Sequence, residues 1–205
     1  MPRPKQRTPE LRDKVLDAAV AVLVSEGVEG FTTRRIAREA ETSLPAVYEL
    51  FGDKAGLVRE VFFGGFRLLD RHLAEAGGTG DARADLEATF VAFRGFVSAN
   101  PTLAQVMFSR PFADFDPGPS ELAAGAAARE FVVRRVRRGI EAGLFRGDET
   151  DIAHVLLALA QGLAAQESAG WLGSSEASRD RRWALAVRTA LDGLAATPPL
   201  SPAGG

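Results

Sequence analysis

From residue 10 to residue 196, glycine and proline cut the chain into segments of helical length, and within each segment apolar residues recur at steps of three and four. No run alternates apolar and polar residues with period two between turn signals, the pattern that a half-buried strand requires. The chain therefore reads as all-α. Residues 10–25 carry Leu11, Val15, Leu16, Ala19, Val22 and Leu23 as one stripe, and Gly27 supplies a stop. After Phe31, Thr32 or Thr33 can cap a short helix over 33–40, with Ile36, Ala37 and Ala40 on one side. Ser43 can cap a second short helix reaching about Leu50. Pro45 suits its first turn, where a missing N–H costs nothing.

A longer segment over 53–76 presents Leu57, Val61, Phe62, Phe66, Leu69 and Leu73, and the run GGTG at 77–80 ends it. Further helices are expected over 81–99, 101–109, 119–143, 150–173 and 175–196. The connection RPFADFDPG at 110–118 is too rich in proline to be helical, and the tail TPPLSPAGG is expected to be disordered. The charged groups, 25 Lys+Arg against 27 Asp+Glu, nearly cancel, which excludes a histone-like polycation. Any contact with nucleic acid must come from a local patch. The absence of cysteine removes disulfides, thiolate nucleophiles and Cys-based metal sites. The basic start MPRPKQRTPE runs into no apolar stretch, and the most apolar segment, 152–165, is interrupted by His154 and Gln161 and is short of a bilayer span. A cytoplasmic protein with no membrane contact, no metal and no cofactor is the expectation.

Three helices in about the first 50 residues, the second and third each about two turns long and joined by a turn of about three residues, outline a helix-turn-helix. In that motif the second short helix enters the major groove while flanking helix ends and loops hold the phosphates. Arg3, Lys5, Arg7, Arg12 and Lys14 stand against only Glu10 and Asp13 in the first 14 residues, which suits an arm beside a phosphate backbone. Thr33, Arg34, Arg35, Ser43, Tyr48 and Lys54 can all donate hydrogen bonds to phosphate oxygens, and a helix N-terminus adds its own N–H groups. Leu44, Pro45, Ala46 and Val47 open the second short helix and offer apolar contact to a thymine methyl, with few donors for base edges. Residues 15–60 carry five basic and eight acidic groups, so modest non-specific DNA affinity is expected.

The run GVEGFTTRRIAREAETSLPAVYELFGDKAGLV at 27–58 resembles the DNA-binding signature of the TetR family of bacterial transcriptional repressors. The matching positions are Gly30, Thr33, Arg35, Ile36, Ala37, Ala40, Ser43, Tyr48, Phe51, Lys54 and Leu57. Two positions depart from it: Glu41 stands where the family usually has Gly, and Thr42 where it usually has Val. If position 41 needs φ > 0, a residue bearing Cβ costs on the order of 1 kcal/mol relative to Gly. The resemblance implies that Tyr48 and Lys54 contact phosphate, that Thr33 with Arg34 or Arg35 anchors the first short helix, and that Leu44 to Val47 face bases. It also implies a helix-turn-helix domain over 1–52, an effector-binding and dimerisation domain over 53–196, and a homodimer formed through the last two helices. Double-stranded operator DNA is then the partner, and a small molecule is the effector.

Phe62, Phe66, Phe90, Phe93 and Phe108, with Arg94 and Gln161 as polar contacts, are the candidates for the effector pocket, which favours an apolar or aromatic ligand. Ala153, Leu156, Leu157, Ala160, Leu163 and Ala164 form a broad apolar face suited to the dimer, and Trp171 and Trp183 are either interface anchors or core residues. The cluster Arg134, Arg135, Arg137 and Arg138 is expected to be a solvated face. Catalysis finds no support: Asp151 and His154 are i and i+3 on one helix with no evident nucleophile. The rival reading is a helical interaction or ligand-binding protein of the same fold that has lost DNA binding, and Glu41 is the feature that favours it.

Overall fold

A computed structural model describes residues 8–109, 112 and 118–195. Regular structure among them is helical: α1 Pro9–Gly30, α2 Thr33–Glu39, α3 Leu44–Phe51, α4 Lys54–Glu75, α5 Ala82–Ala99, α6 Pro101–Ser109, α7 Pro119–Glu141, α8 Glu149–Ser168 and α9 Glu176–Gly193. An isolated bridge between Phe145 and Ala195 is the one extended pairing among these residues. No helix among them is long and apolar enough to cross a membrane. The expected tail at 197–205 lies outside the described residues, as does all of the proline-rich connection except Phe112 and Gly118.

The described residues of Met1–Asp70 and Ala99–Ala126 form one compact unit, and those of Arg71–Ser98 and Ala127–Gly205 form another. In the first, Thr8 caps α1 by accepting from the Leu11 N–H at 3.2 Å, and Pro9 occupies the first turn. Gly27 leaves helical geometry, as a stop should, but the chain resumes a turn that ends only at Gly30. Of the predicted stripe, Val15, Ala19, Val22 and Leu23 are buried with Phe31, Ile36, Ala37, Val47, Phe51 and Leu57, while Leu11 and Leu16 are half-buried. α2 and α3 have seven and eight residues, well short of the ~12–15 that an isolated helix needs, so they exist because these side chains pack. α6 lies against α1 and buries Leu103, Val106 and Met107. Arg59 on α4 holds the buried Glu121 carboxylate of α7 at 2.5 Å.

The second unit is pinned by two charged networks. Asp85, almost wholly buried, accepts from the Thr79 N–H at 2.7 Å, the Thr79 hydroxyl at 3.0 Å and Arg138 Nη2 at 3.0 Å. Arg135 is buried beside it and donates to the Asp85 and Gly77 carbonyls. Arg134, Arg137 and Arg138 are exposed, as expected of a solvated face, whereas Arg135 is buried; with Arg138 it fastens the GGTG loop to α7. Arg137 pairs with Glu149 at 2.6 Å. In the other network, Glu167 on α8 receives Arg94 Nε and Nη2 at 2.9 and 2.7 Å and Trp183 Nε1 at 2.6 Å.

α8 ends earlier than predicted, at Ser168. There the Gly170 N–H reaches the Glu167 carbonyl and the Trp171 N–H reaches the Gln166 carbonyl, the double bond pattern of a Schellman motif with Gly170 left-handed at φ 77°. α7 ends in the same way, with Gly143 at φ 74°. Of the two tryptophans, Trp183 is core and Trp171 is 77% exposed.

Candidate nucleic-acid interface

The helix-turn-helix is built by three local devices. Thr32, rather than Thr33, caps α2 by accepting from the Arg35 N–H at 3.2 Å, and Ser43 caps α3 by accepting from the Ala46 N–H at 3.3 Å, with Pro45 in the first turn. Between them α2 closes in a third Schellman motif, in which the Glu41 N–H reaches the Arg38 carbonyl and the Thr42 N–H reaches the Ala37 carbonyl. Its left-handed position is filled by Glu41 at φ 50°, the one non-glycine residue with positive φ among the described residues. The Glu41 carboxylate accepts from Lys14 Nζ at 2.8 Å, and this contact with the Lys14 ammonium holds its carboxyl below the ordinary range.

α3 turns Pro45, Tyr48 and Glu49 outward, with Ser43 at its exposed N-terminus and Leu44 and Ala46 half-buried. Tyr48 is 44% exposed, and its hydroxyl lies 3.2 Å from Thr33 Oγ1, so the two expected phosphate contacts converge from α2 and α3. Arg34 and Arg38 are exposed on α2. Lys54, exposed at the start of α4, stands 5.5 Å over the Phe112 ring, which packs at 5.1 Å against Phe31.

Two expected DNA contacts take other roles here. Val47 is fully buried and faces the core of the motif, whereas Leu44 and Ala46 are half-buried and Pro45 is exposed. Arg35 is engaged by Glu26 at 2.8 Å and Glu39 at 2.7 Å, bracing α2 against α1. The basic arm divides as well: Arg3, Lys5 and Arg7 lie outside the described residues, whereas Arg12 pairs with Glu60 at 2.7 Å and stacks over Phe51, and Lys14 pairs with Glu41. The carboxylate partners of Arg12, Lys14 and Arg35 were not identified from the sequence. Arg38, exposed in the last turn of α2, is a further cation of the head that the motif reading does not include.

The effector candidates fall into both units. Phe62, Phe66 and Phe108 form a ring cluster in the first, with centroids 4.9 Å apart for Phe62 and Phe66 and 6.0 Å for Phe66 and Phe108. Phe90 and Phe93 are buried on α5 in the second, Gln161 is exposed on α8, and Arg94 is committed to Glu167 and Asp180 and lies 5.5 Å over the Trp183 ring.

Residues 15–61 match the family model described as bacterial regulatory proteins, tetR family, and residues 86–190 match that of the tetracyclin repressor-like C-terminal domain. No curated protein matches the chain. Among solved structures, a protein of unknown function from Rhodococcus sp. RHA1 is 29% identical, with 95% of this chain and 100% of that one covered and a TM-score of 0.81. A bacterial regulatory protein in the tetR family from Rhodococcus RHA1 is 21% identical, with 93% and 100% covered and a TM-score of 0.69. The TetR family transcriptional regulator PfmR from Thermus thermophilus is 20% identical, with 89% and 99% covered and a TM-score of 0.67. At these last two identities the likeness shows a shared fold.

Proposed function

The chain belongs to the tetR family of bacterial regulatory proteins, and on that premise we propose that it is a cytoplasmic DNA-binding repressor, released from its operator by an apolar or aromatic small molecule. The observation that carries the reading is α3: a two-turn helix capped by Ser43, with Pro45 and Tyr48 outward and the Tyr48 hydroxyl beside Thr33. This is the form a recognition helix takes, with base-facing residues at its start and phosphate donors on its flank. Residues 1–52 serve as the DNA-binding domain. Thr33, Arg34, Ser43, Tyr48 and Lys54 contact phosphate, Leu44, Pro45 and Ala46 face the major groove, and Arg3, Lys5 and Arg7 extend the contact as an arm.

Residues 53–196 carry effector binding and dimerisation. A homodimer through α8 and α9 presents two recognition helices about 34–36 Å apart, or a multiple of one turn. Val155 on α8 and Leu185 on α9, 56% and 54% exposed, support that use of the two helices. The buried rings of Phe62 and Phe66, 4.9 Å apart in the first unit, support an apolar ligand. Induction then requires that the ligand bind one spacing of the heads more tightly than the other.

Glu41 favours a second reading, in which the fold persists without DNA binding, because its carboxylate neutralises a cation of the head. A mobility-shift assay on fragments of the gene's own upstream region separates the two. A discrete complex that resists excess random duplex is expected, and its absence at every fragment supports the second reading.

A further inference from the structure

We propose that Glu41 tunes the DNA contact of the head: its carboxylate holds Lys14 in an intramolecular pair that a DNA phosphate has to displace, and so restrains sequence-independent binding. This rests on the DNA-binding reading above. The left-handed position of a Schellman motif favours glycine, and Gly143 and Gly170 fill it on α7 and α8. A side chain kept in that conformation at one turn only directs attention to what the side chain does. Here it accepts a 2.8 Å hydrogen bond from Lys14 Nζ, tying α1 to the turn two residues ahead of the α3 cap.

The exposure of the pair decides its role. Among the described ion pairs of the head, Lys14 and Glu41 are the most exposed, with side chains 50% and 80% accessible, against 37% and 25% for Arg12 and Glu60 and 29% and 37% for Arg35 and Glu26. Arg12 also lies over the Phe51 ring and Arg35 is shared between two carboxylates, so those cations are structural. A pair standing in water is weak and exchanges readily. Lys14 is therefore the paired cation that a phosphate can recruit, and Glu41 is the group that opposes the transfer, first by holding the ammonium and then by remaining as a negative charge beside the backbone.

The test is fluorescence anisotropy on a random-sequence duplex across a salt titration, with the full-length wild type, Glu41→Gln, Glu41→Gly and the double variant Glu41→Gln/Lys14→Gln. Each phosphate neutralised contributes about 0.9 to the slope of log affinity against log salt. Glu41→Gln is expected to steepen the slope by about 0.9 per head, which makes the loss of affinity between ~50 and ~200 mM salt roughly 3.5-fold larger for each head. Glu41→Gly makes the same charge change while relieving the backbone, and is expected to match it. The double variant is expected to return to the wild-type slope. A Glu41→Gln slope equal to wild type overturns the proposal alone, as does a double variant that stays steep. No binding by any variant at low salt overturns the DNA-binding reading together with it.

Discussion

Tyr48 and Val47 are neighbours in sequence and opposites in surroundings, one half-exposed beside Thr33 and the other fully buried. Val47→Ala removes two methyl groups from a packed core and is expected to lower stability by about 2 kcal/mol in urea denaturation. Tyr48→Phe is expected to leave the urea midpoint nearly unchanged and to weaken operator binding in anisotropy. Lys54→Ala is expected to flatten the salt dependence of operator binding by about one unit of slope per head. The caps were legible because each is a local hydrogen bond: Ser43 and Pro45 announce the start of α3 by residue type. The burial of Val47 was not, since Leu44, Ala46 and Val47 are all apolar and eight residues give periodicity too little length to choose among them. The bracing of α2 by Arg35 was not legible for a related reason. Its partners Glu26 and Glu39 are recognisable only once α1 and α2 are placed side by side.

Between elements, the second unit relies on carboxylates whose partners are far away in the chain: Asp85 with Arg138, 53 positions apart, and Glu167 with Arg94, 73 apart. Hydropathy patterns specify which side of a helix is buried and carry no information on which charge meets which, so these networks were invisible in the sequence. Thr79, with Arg135 and Arg138, holds the Asp85 carboxyl below the ordinary range; Arg94, and after it Trp183, does the same for Glu167. Folded values below unfolded ones mean that the stability these groups contribute is complete above the ordinary carboxylate range and is lost as pH falls through it toward the folded values. Melting followed by circular dichroism is expected to be flat from about pH 8 to 5 and to fall steeply below about pH 4, and Asp85→Asn is expected to blunt that fall. Glu167→Ala strips charged hydrogen bonds from Arg94 and Trp183 and is expected to destabilise by about 2 kcal/mol.

At the scale of the whole molecule, nine helices over the described residues follow the helical segmentation read from the sequence. The dimer is the proposal that converts one short recognition helix into useful specificity, because a single head contacts too few base pairs. Val155→Arg, on the exposed side of α8, is expected to yield a folded monomer in size-exclusion chromatography with light scattering and to abolish the shifted operator complex. The most direct test of the account is a hydroxyl-radical footprint of the protein on a fragment that it shifts. Two protected patches related by two-fold symmetry, with centres one helical turn or a whole multiple apart, are the predicted result; a single patch, or uniform protection along the fragment, would contradict it.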